Sequence, residues 1–291
     1  MTTVPAATGR SYPQGPAALR MTPGRRALLA VGVPVILLAI AWTGFGLIST
    51  FGTASFAIGG PIPEVNGQVV AFFGGADVAV SETGGSTAQL TGEAKYSLVR
   101  PKYSMRSGPS GTVVKLACGL PTGNCQLSTD LAVPAGAGVN LASQGGDMQV
   151  SGVTGDTTLS SAGGDVTVFG GGSRTSVNTG GGDLTAGNLS GTLNLNSVGG
   201  DVAGNNLAAP ATTVSSGGGD VTVAFSKVPD HVNITSAGGN VTVLLPRGST
   251  HYDISESTDG GDYNVSVPVG SSSHTITVDS GGGDVAIAQA G

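Results

Sequence analysis

The sequence predicts an all-β fold, a β-solenoid or β-helix-like stack of short coils, because of one repeated phrase and the composition. Gly-Gly-Asp begins at 145 and recurs in variants, with spacings of 18, 18, 18, 19, 20, 22 and 22 positions between the Asp residues, one of which is replaced by Asn240. A period of about 20 residues is typical of proteins in which each unit buries its apolar face against the next unit. Glycine supplies 51 of 291 residues and only 10 % are charged, which favours short strands over amphipathic helices.

Apolar residues alternate within each repeat, so two short strands per coil are expected to face one interior. The first position after the acid holds Met148, Val166, Leu184 and Val202, and the third holds Val150, Val168, Ala186 and Gly204. The twelfth position, which predicts the second inward strand, holds Leu159, Val177, Leu195 and Thr213.

The glycine pair and its acid are interpreted as the bend between coils. Glycine adopts positive φ without steric cost, and a short acidic side chain accepts hydrogen bonds from backbone N–H groups at a turn. These structural turn residues are Asp147, Asp165, Asp183, Asp201, Asp220, Asn240, Asp262 and Asp284.

A ladder of carboxylates also leaves calcium open as an alternative, since stacked acids repel one another and a divalent cation would relieve the repulsion. Calcium-binding β-rolls, however, place Gly-Gly-x-Gly-x-Asp about every nine residues. The substitution at Asn240 preserves a turn hydrogen bond better than a calcium ligand. No cofactor and no metal site are therefore expected.

Residues 27–49 contain no charge and are long enough for one transmembrane helix, about 30 Å of hydrocarbon at 1.5 Å per residue. The preceding residues 1–26 carry four arginines and no acid, which predicts a disordered basic cytosolic tail and an exported C-terminal part. The protein is then a single-pass signal-anchor protein of the cell membrane, with its N-terminus cytoplasmic and its C-terminal domain extracytoplasmic. A signal peptide cleaved near residues 53–57 is the alternative.

The exported part divides into a linker at 50–63, an irregular β cap with a hairpin at 64–135, and solenoid repeats at 136–291. Cys118 and Cys125 bracket a turn-rich stretch between strand-like runs at 112–117 and 126–133. The two runs are expected to pair as the hairpin, and the two cysteines to form a disulfide in an oxidising compartment.

Charge restricts the partners of the exported part, in which 8 basic residues stand against 18 acidic ones. A net acidic surface disfavours nucleic acid and anionic lipid, which require clustered Lys and Arg. The last strand, 284–288, comes just before the end of the sequence, so we expect its open backbone edge to permit end-to-end self-association.

The Val133-Pro134-Ala135-Gly136 segment and the Gly-Asp-Val-x-Val units at 164–168 and 219–223 resemble the bacterial putative-adhesin family of β-strand-repeat proteins of unknown function. The resemblance covers roughly residues 64–291 of the sequence. It implies a bacterial envelope protein with a solenoid-like ectodomain, and it supplies no catalytic residues.

We therefore expect a non-catalytic adhesion, interaction or structural module that contacts another envelope or cell-surface component. A polysaccharide-acting β-helix enzyme is the alternative, with the acids at 253, 256, 259 and 262 as its candidate carboxylates. Residues 136–291 contain only four aromatic side chains, whereas sugar-binding clefts are usually rich in them. His231, His251 and His274 lie near the later bends and are expected to be surface residues.

Overall fold

The computed structural model describes residues 53–97, 99–117 and 125–290. The predicted cytosolic tail, the predicted transmembrane helix at 27–49 and the start of the linker lie outside these residues. Within them, no helix is long and apolar enough to cross a membrane.

Every regular element of the described residues is a β-strand, as Val, Thr and Ser on alternating positions predict. The strands are β1 (Thr53–Ile62), β2 (Glu64–Val65), β3 (Gln68–Phe73), β4 (Asp77–Thr83), β5 (Ala88–Ser97), β6 (Lys102–Gly108), β7 (Gly111–Ala117), β8 (Cys125–Pro134), β9 (Gly138–Ser143), β10 (Met148–Val153), β11 (Thr157–Ser161), β12 (Val166–Gly171), β13 (Arg174–Thr179), β14 (Leu184–Ser197), β15 (Val202–Ser216), β16 (Val221–Phe225), β17 (His231–Ser236), β18 (Val241–Leu245), β19 (Asp253–Thr258), β20 (Tyr263–Ser266), β21 (Thr275–Ser280) and β22 (Val285–Gln289).

The strands form two facing sheets that wind around one interior. Sheet 1 has the spatial order β1, β5, β8, β4, β10, β12, β14, β15, β16, β18, β22, β20. Sheet 2 has the order β6, β7, β3, β9, β11, β13, β14, β15, β17, β21, β19. The long strands β14 and β15 bend, so their first halves lie in sheet 1 and their second halves in sheet 2.

The repeat coils pair in parallel, whereas the N-terminal end mixes parallel pairs, such as β4 with β8, with the antiparallel pairs β1 with β5, β5 with β8, β2 with β3 and β6 with β7. We call this end, where β1 and β6 are outermost, the cap end. The opposite end, where β19 and β20 are outermost, is the far end.

One hydrophobic core runs between the two sheets. Val166, Val221 and Val241 are each 0 % exposed and belong to a single buried cluster that continues from β1 to β22. The prediction of an all-β, solenoid-like repeat stack is therefore confirmed.

The predicted inward position at Thr213 is wrong, because Thr213 is exposed and Val214 is buried in its place. Strand β15 contains one more residue than β14 between the pairs Ser190 with Ala208 and Thr192 with Ala211. One extra residue reverses the facing of every later side chain in a strand.

The predicted hairpin between 112–117 and 126–133 is also wrong. Strand β7 pairs with β3 and β6 in sheet 2, whereas β8 pairs with β4 and β5 in sheet 1. The chain thus crosses from one sheet to the other between them. An antiparallel hairpin does form in the cap, but it joins β6 to β7.

The order of the last coils differs from their order in the chain. Strand β22 lies between β18 and β20, and β21 lies between β17 and β19. The expectation that the last strand presents an open edge is therefore wrong, because both of its edges are paired. The earlier coil, β19 with β20, closes the far end instead.

Candidate functional site

The acidic residues of the repeats form a continuous hydrogen-bonded ladder along one bend of the stack. In each coil the backbone N–H of the ladder residue donates to Oδ1 of the ladder residue in the adjacent coil, over 2.8–3.2 Å. The spatial order is Asp77, Asp147, Asp165, Asp183, Asp201, Asp220, Asn240, Asp284 and Asp262. Asp284 precedes Asp262 in this spatial order because the last coil of the chain, β21 with β22, lies between the β17–β18 coil and the β19–β20 coil.

Asp77 begins this ladder, and sequence reasoning missed it. The residue follows Gly-Gly-Ala rather than Gly-Gly, and 70 positions separate it from the next ladder residue, so the period does not reveal it. Its second carboxylate oxygen, Oδ2, accepts a hydrogen bond from Gln126 Nε2 at 3.0 Å.

A serine or threonine lies four residues before the ladder residue in every repeat from 147 onwards, and in six of the eight its hydroxyl accepts the N–H of the second glycine. The hydroxyls of Thr179 and Ser216 donate to the carbonyl oxygens of Gly182 and Gly219, at 3.2 and 2.8 Å. Ser161 Oγ accepts a hydrogen bond from the N–H of Gly164 at 3.0 Å, and Ser280 Oγ accepts one from Gly283 at 3.1 Å. The same contact is made by Ser143, Ser197, Ser236 and Thr258. The sequence carries this signal as a Ser or Thr at the same offset in all eight repeats.

The second glycine of each pair is required by close approach between coils, which corrects the expectation of positive φ. A Cβ at Gly164 would lie 2.2 Å from the carbonyl oxygen of Gly146 in the adjacent coil, whereas at Gly163 it would meet nothing within 4 Å. The left-handed conformation occurs instead at the opposite bend, at Gly152, Gly170, Asn188 and Asn206, where φ is 53–68°.

The ladder geometry determines what its carboxylates do. In every ladder carboxylate except that of Asp262, the last in the series, one oxygen accepts a backbone N–H that would otherwise be unpaired at the bend, so the ladder joins each coil to the next. Among the residues that the structure describes, no group of three or more His, Cys, Asp or Glu side chains is placed to hold a metal ion.

The remaining residues singled out in the sequence lie apart from the ladder. Cys125 is disulfide-bonded, and Cys118 lies outside the described residues, so their pairing stays a prediction. His231 and His274 make local contacts, through Nδ1 to Thr275 Oγ1 and to the carbonyl oxygen of Pro229, each at 2.9 Å. The acids at 253, 256, 259 and 262 all lie in the far-end coil.

Two grooves lie towards the cap end. One of about 380 Å³ is lined by Asp77, Asp130, Asp147 and Asp165 with short side chains of sheet 1. The other, of about 770 Å³, lies between β1, β5 and the start of β6. Tyr103 lines it, and its hydroxyl is buried with no hydrogen-bond partner, so burial raises the pKa of Tyr103.

At the bend that follows β4 and β10, the backbone N–H and the hydroxyl of Thr154 donate to Glu82 Oε2 at 2.8 and 2.7 Å. These bonds lower the pKa of the Glu82 carboxyl from its ordinary value. Glu82 therefore joins two coils at the bend opposite the aspartate ladder.

The outer surface of sheet 1 carries a straight column of short side chains. Paired positions in adjacent strands hold Gln149, Thr167, Thr185, Ala203, Thr222, Thr242 and Ala286. In the next column Phe169 is 41 % exposed beside Gly187, where a Cβ would lie 2.6 Å from its ring. This surface, which we call the threonine face, extends over seven coils.

The Toastrack DUF4097 family matches residues 108–288 of the chain. No curated protein matches the chain.

The fold is similar to those of several solved structures. A Bacteroides fragilis protein described as a putative adhesin is 15 % identical, with a TM-score of 0.52 over 80 % of this chain and 97 % of that one. A putative adhesin from Parabacteroides distasonis is 13 % identical, with a TM-score of 0.49 over 82 % and 98 %. A protein from the same species described as a putative lipid binding protein is 9 % identical, with a TM-score of 0.39 over 83 % and 98 %.

At these identities the likeness concerns the fold, and the first of these structures supports the resemblance expected from the sequence. The family match extends from the end of β6 through the repeats to β22, and it includes every ladder residue except Asp77. Because it covers more than half of the sequence, the chain belongs to the Toastrack DUF4097 family.

Proposed function

We propose that this protein is a non-catalytic adhesion or interaction module of the bacterial envelope. Residues 27–49 anchor it in the cell membrane, its N-terminus stays in the cytoplasm, and the solenoid stands outside. The family match and the adhesin-like fold support this role, and the proposal involves no cofactor.

The threonine face is the observation that carries the proposal. Threonine presents both a methyl group and a hydroxyl, and its β-branched side chain has few rotamers to lose on binding. Neighbouring members of the column repeat at the strand spacing of about 4.8 Å, on a backbone held by hydrogen bonds on both sides. Such a surface is preorganised, which reduces the entropic cost of contact.

The experiment places bulky charges on this face without touching the core. Thr185→Arg with Thr222→Arg would project two long cations from sheet 1 of the full-length protein displayed on cells. We expect adhesion to neighbouring cells to fall about tenfold or more, which corresponds to a loss of about 1.4 kcal/mol in contact free energy.

Asn194→Arg with Asn233→Arg is the matched control, because these exposed residues lie on the outer surface of sheet 2 in the same two coils. Equal adhesion by both double variants, with unchanged melting temperatures, would refute the role of the threonine face.

The proposed topology has its own test. Protease added to intact cells is expected to remove the C-terminal domain and leave a tag at residue 1 protected. Protection of the C-terminal domain would show that the proposed orientation is wrong.

A further inference from the structure

Charge is segregated along the stack. Five of the eight basic residues after position 49 lie within 21 positions at the cap end, namely Lys95, Arg100, Lys102, Arg106 and Lys115. The far-end coil instead carries the four acids at 253, 256, 259 and 262. Lys95 pairs with Glu93 Oε2 at 3.8 Å, but residues 99–108, which include β6, carry Arg100, Lys102 and Arg106 and no acid. The net negative charge of the exported part therefore conceals a basic edge at the cap end and an acidic far end.

The basic side chains of the cap end are exposed and interleaved with aromatic and apolar groups. Lys102 and Arg106 lie on the outer side of β6, while Tyr103 and Met105 between them pack against the core. The Arg100 guanidinium lies 4.4 Å from the centroid of the Phe56 ring, and neighbouring Val99 is 46 % exposed. Cations beside aromatic and apolar side chains are typical of surfaces at membrane interfaces.

The cap end is also the end that the chain ties to the proposed anchor. Only residues 50–52 separate the expected span from the first residue of β1. Four extended residue steps reach at most about 14 Å. That distance is comparable with the Debye length of about 8–10 Å at physiological salt, so charges at this end would act on the lipid surface.

We propose that the cap end docks on the anionic lipid headgroups surrounding the protein's own membrane span. Lys102, Arg106 and Arg100 are attracted to the headgroups, whereas the acidic far end lies about eleven strand spacings of roughly 4.8 Å along the stack, beyond the range of the surface potential. The inference rests on the proposed anchoring. It replaces the expectation, drawn from net charge alone, that anionic lipid is disfavoured.

A second copy of the chain is the competing occupant, since an acidic far end would also complement a basic cap end. The tether favours lipid. It limits the start of β1 to about 14 Å from the end of the expected span, so lipid is the surface present at high local concentration.

The test uses the full-length chain in vesicles of phosphatidylcholine alone or with 30 mol % phosphatidylglycerol. A donor dye at Ser104→Cys on β6 reports proximity to an acceptor lipid, and the same dye at Ser257→Cys on β19 reports the far end. We expect energy transfer from position 104 to increase with phosphatidylglycerol and to decrease at 0.5 M salt. Transfer from position 257 should stay low throughout.

Lys102→Glu with Arg106→Glu should reduce the docking equilibrium constant by at least about 25-fold, since each cation near an anionic surface contributes about fivefold. Arg174→Glu with Lys227→Glu is the control, because it makes the same charge change at exposed positions away from the cap end. An equal effect of both pairs would overturn the inference.

Three other outcomes would also overturn it. Equal energy transfer from position 104 in both kinds of vesicle, with the chain inserted in the membrane, would refute the docking but not the anchor. Energy transfer between dyes at 104 and 257 on different copies, increasing with protein density, would assign the cap end to a second copy. Failure of the chain to float with either vesicle would refute the proposed anchor, and the docking with it.

Discussion

At the scale of single residues, the repeated phrase combines three separate physical requirements. The acid links coils by accepting a backbone N–H, and the preceding Ser or Thr fixes the bend. The second glycine lets the backbones of adjacent coils approach to contact. A side chain at the first glycine would meet no atom of the adjacent coil at Gly163, so the two glycines of a pair differ in how much stability depends on them.

We predict that Gly164→Ala destabilises the fold by about 1–3 kcal/mol, because its Cβ would overlap a backbone carbonyl that cannot move aside. Gly163→Ala should change the free energy of unfolding by less than about 0.5 kcal/mol, because its Cβ meets open space. Urea denaturation of the two variants provides the comparison. Equal effects would show that close approach is not the constraint.

For the ladder, Asp183→Ala should cost about 0.5–1.5 kcal/mol, since it removes the acceptor for the N–H of Asp201. Asp183→Asn should cost less, as the natural Asn240 still accepts the N–H of Asp284 through Oδ1. Thermal unfolding with calcium or a chelator tests the alternative ligand. A melting temperature that rises with calcium in the native protein, and not in Asp183→Ala, would favour metal binding instead. Asp279→Ala, an exposed acid outside the ladder, is the control.

At the scale of elements, the position of the last coil between two earlier coils makes β22 an interior strand and β20 an edge strand. Both edges of β22 are paired, and Ile287 is 0 % exposed, whereas β20 lies at the far end and Val265 is only partly buried. The chain therefore completes its outermost coil before it forms the coil beneath. The long connections after β18 and β20 make this exchange possible.

Ile287→Ala is accordingly expected to cost about 2–5 kcal/mol, the range for a fully buried aliphatic side chain. Val265→Ala should cost about 1 kcal/mol or less, because the site is partly solvated. Equilibrium unfolding gives both values, and hydrogen exchange should show slower amides in β22 than in β20. The reverse order would mean that the coils stack in chain order.

At the scale of the whole molecule, the protein is a quasi-one-dimensional stack with unlike ends. The repeats contribute the threonine face, and the cap contributes a basic edge at Arg100, Lys102 and Arg106. Neither property belongs to a single repeat. Both follow from the arrangement of coils along one axis, which is why the proposed functions concern surfaces rather than a catalytic cluster.

The sequence by itself determined the fold class, the buried valines and the bend at each Gly-Gly-Asp, because period and alternation are local properties of the chain. It also contained the Ser and Thr signal at the bends. Only the tertiary structure decided that β7 and β8 lie in different sheets, that Asp77 starts the ladder, and that β22 lies inside β20. These features depend on which strand pairs with which neighbour across the stack. Equivalent coils have nearly the same edge chemistry, so sequence spacing cannot distinguish their neighbours.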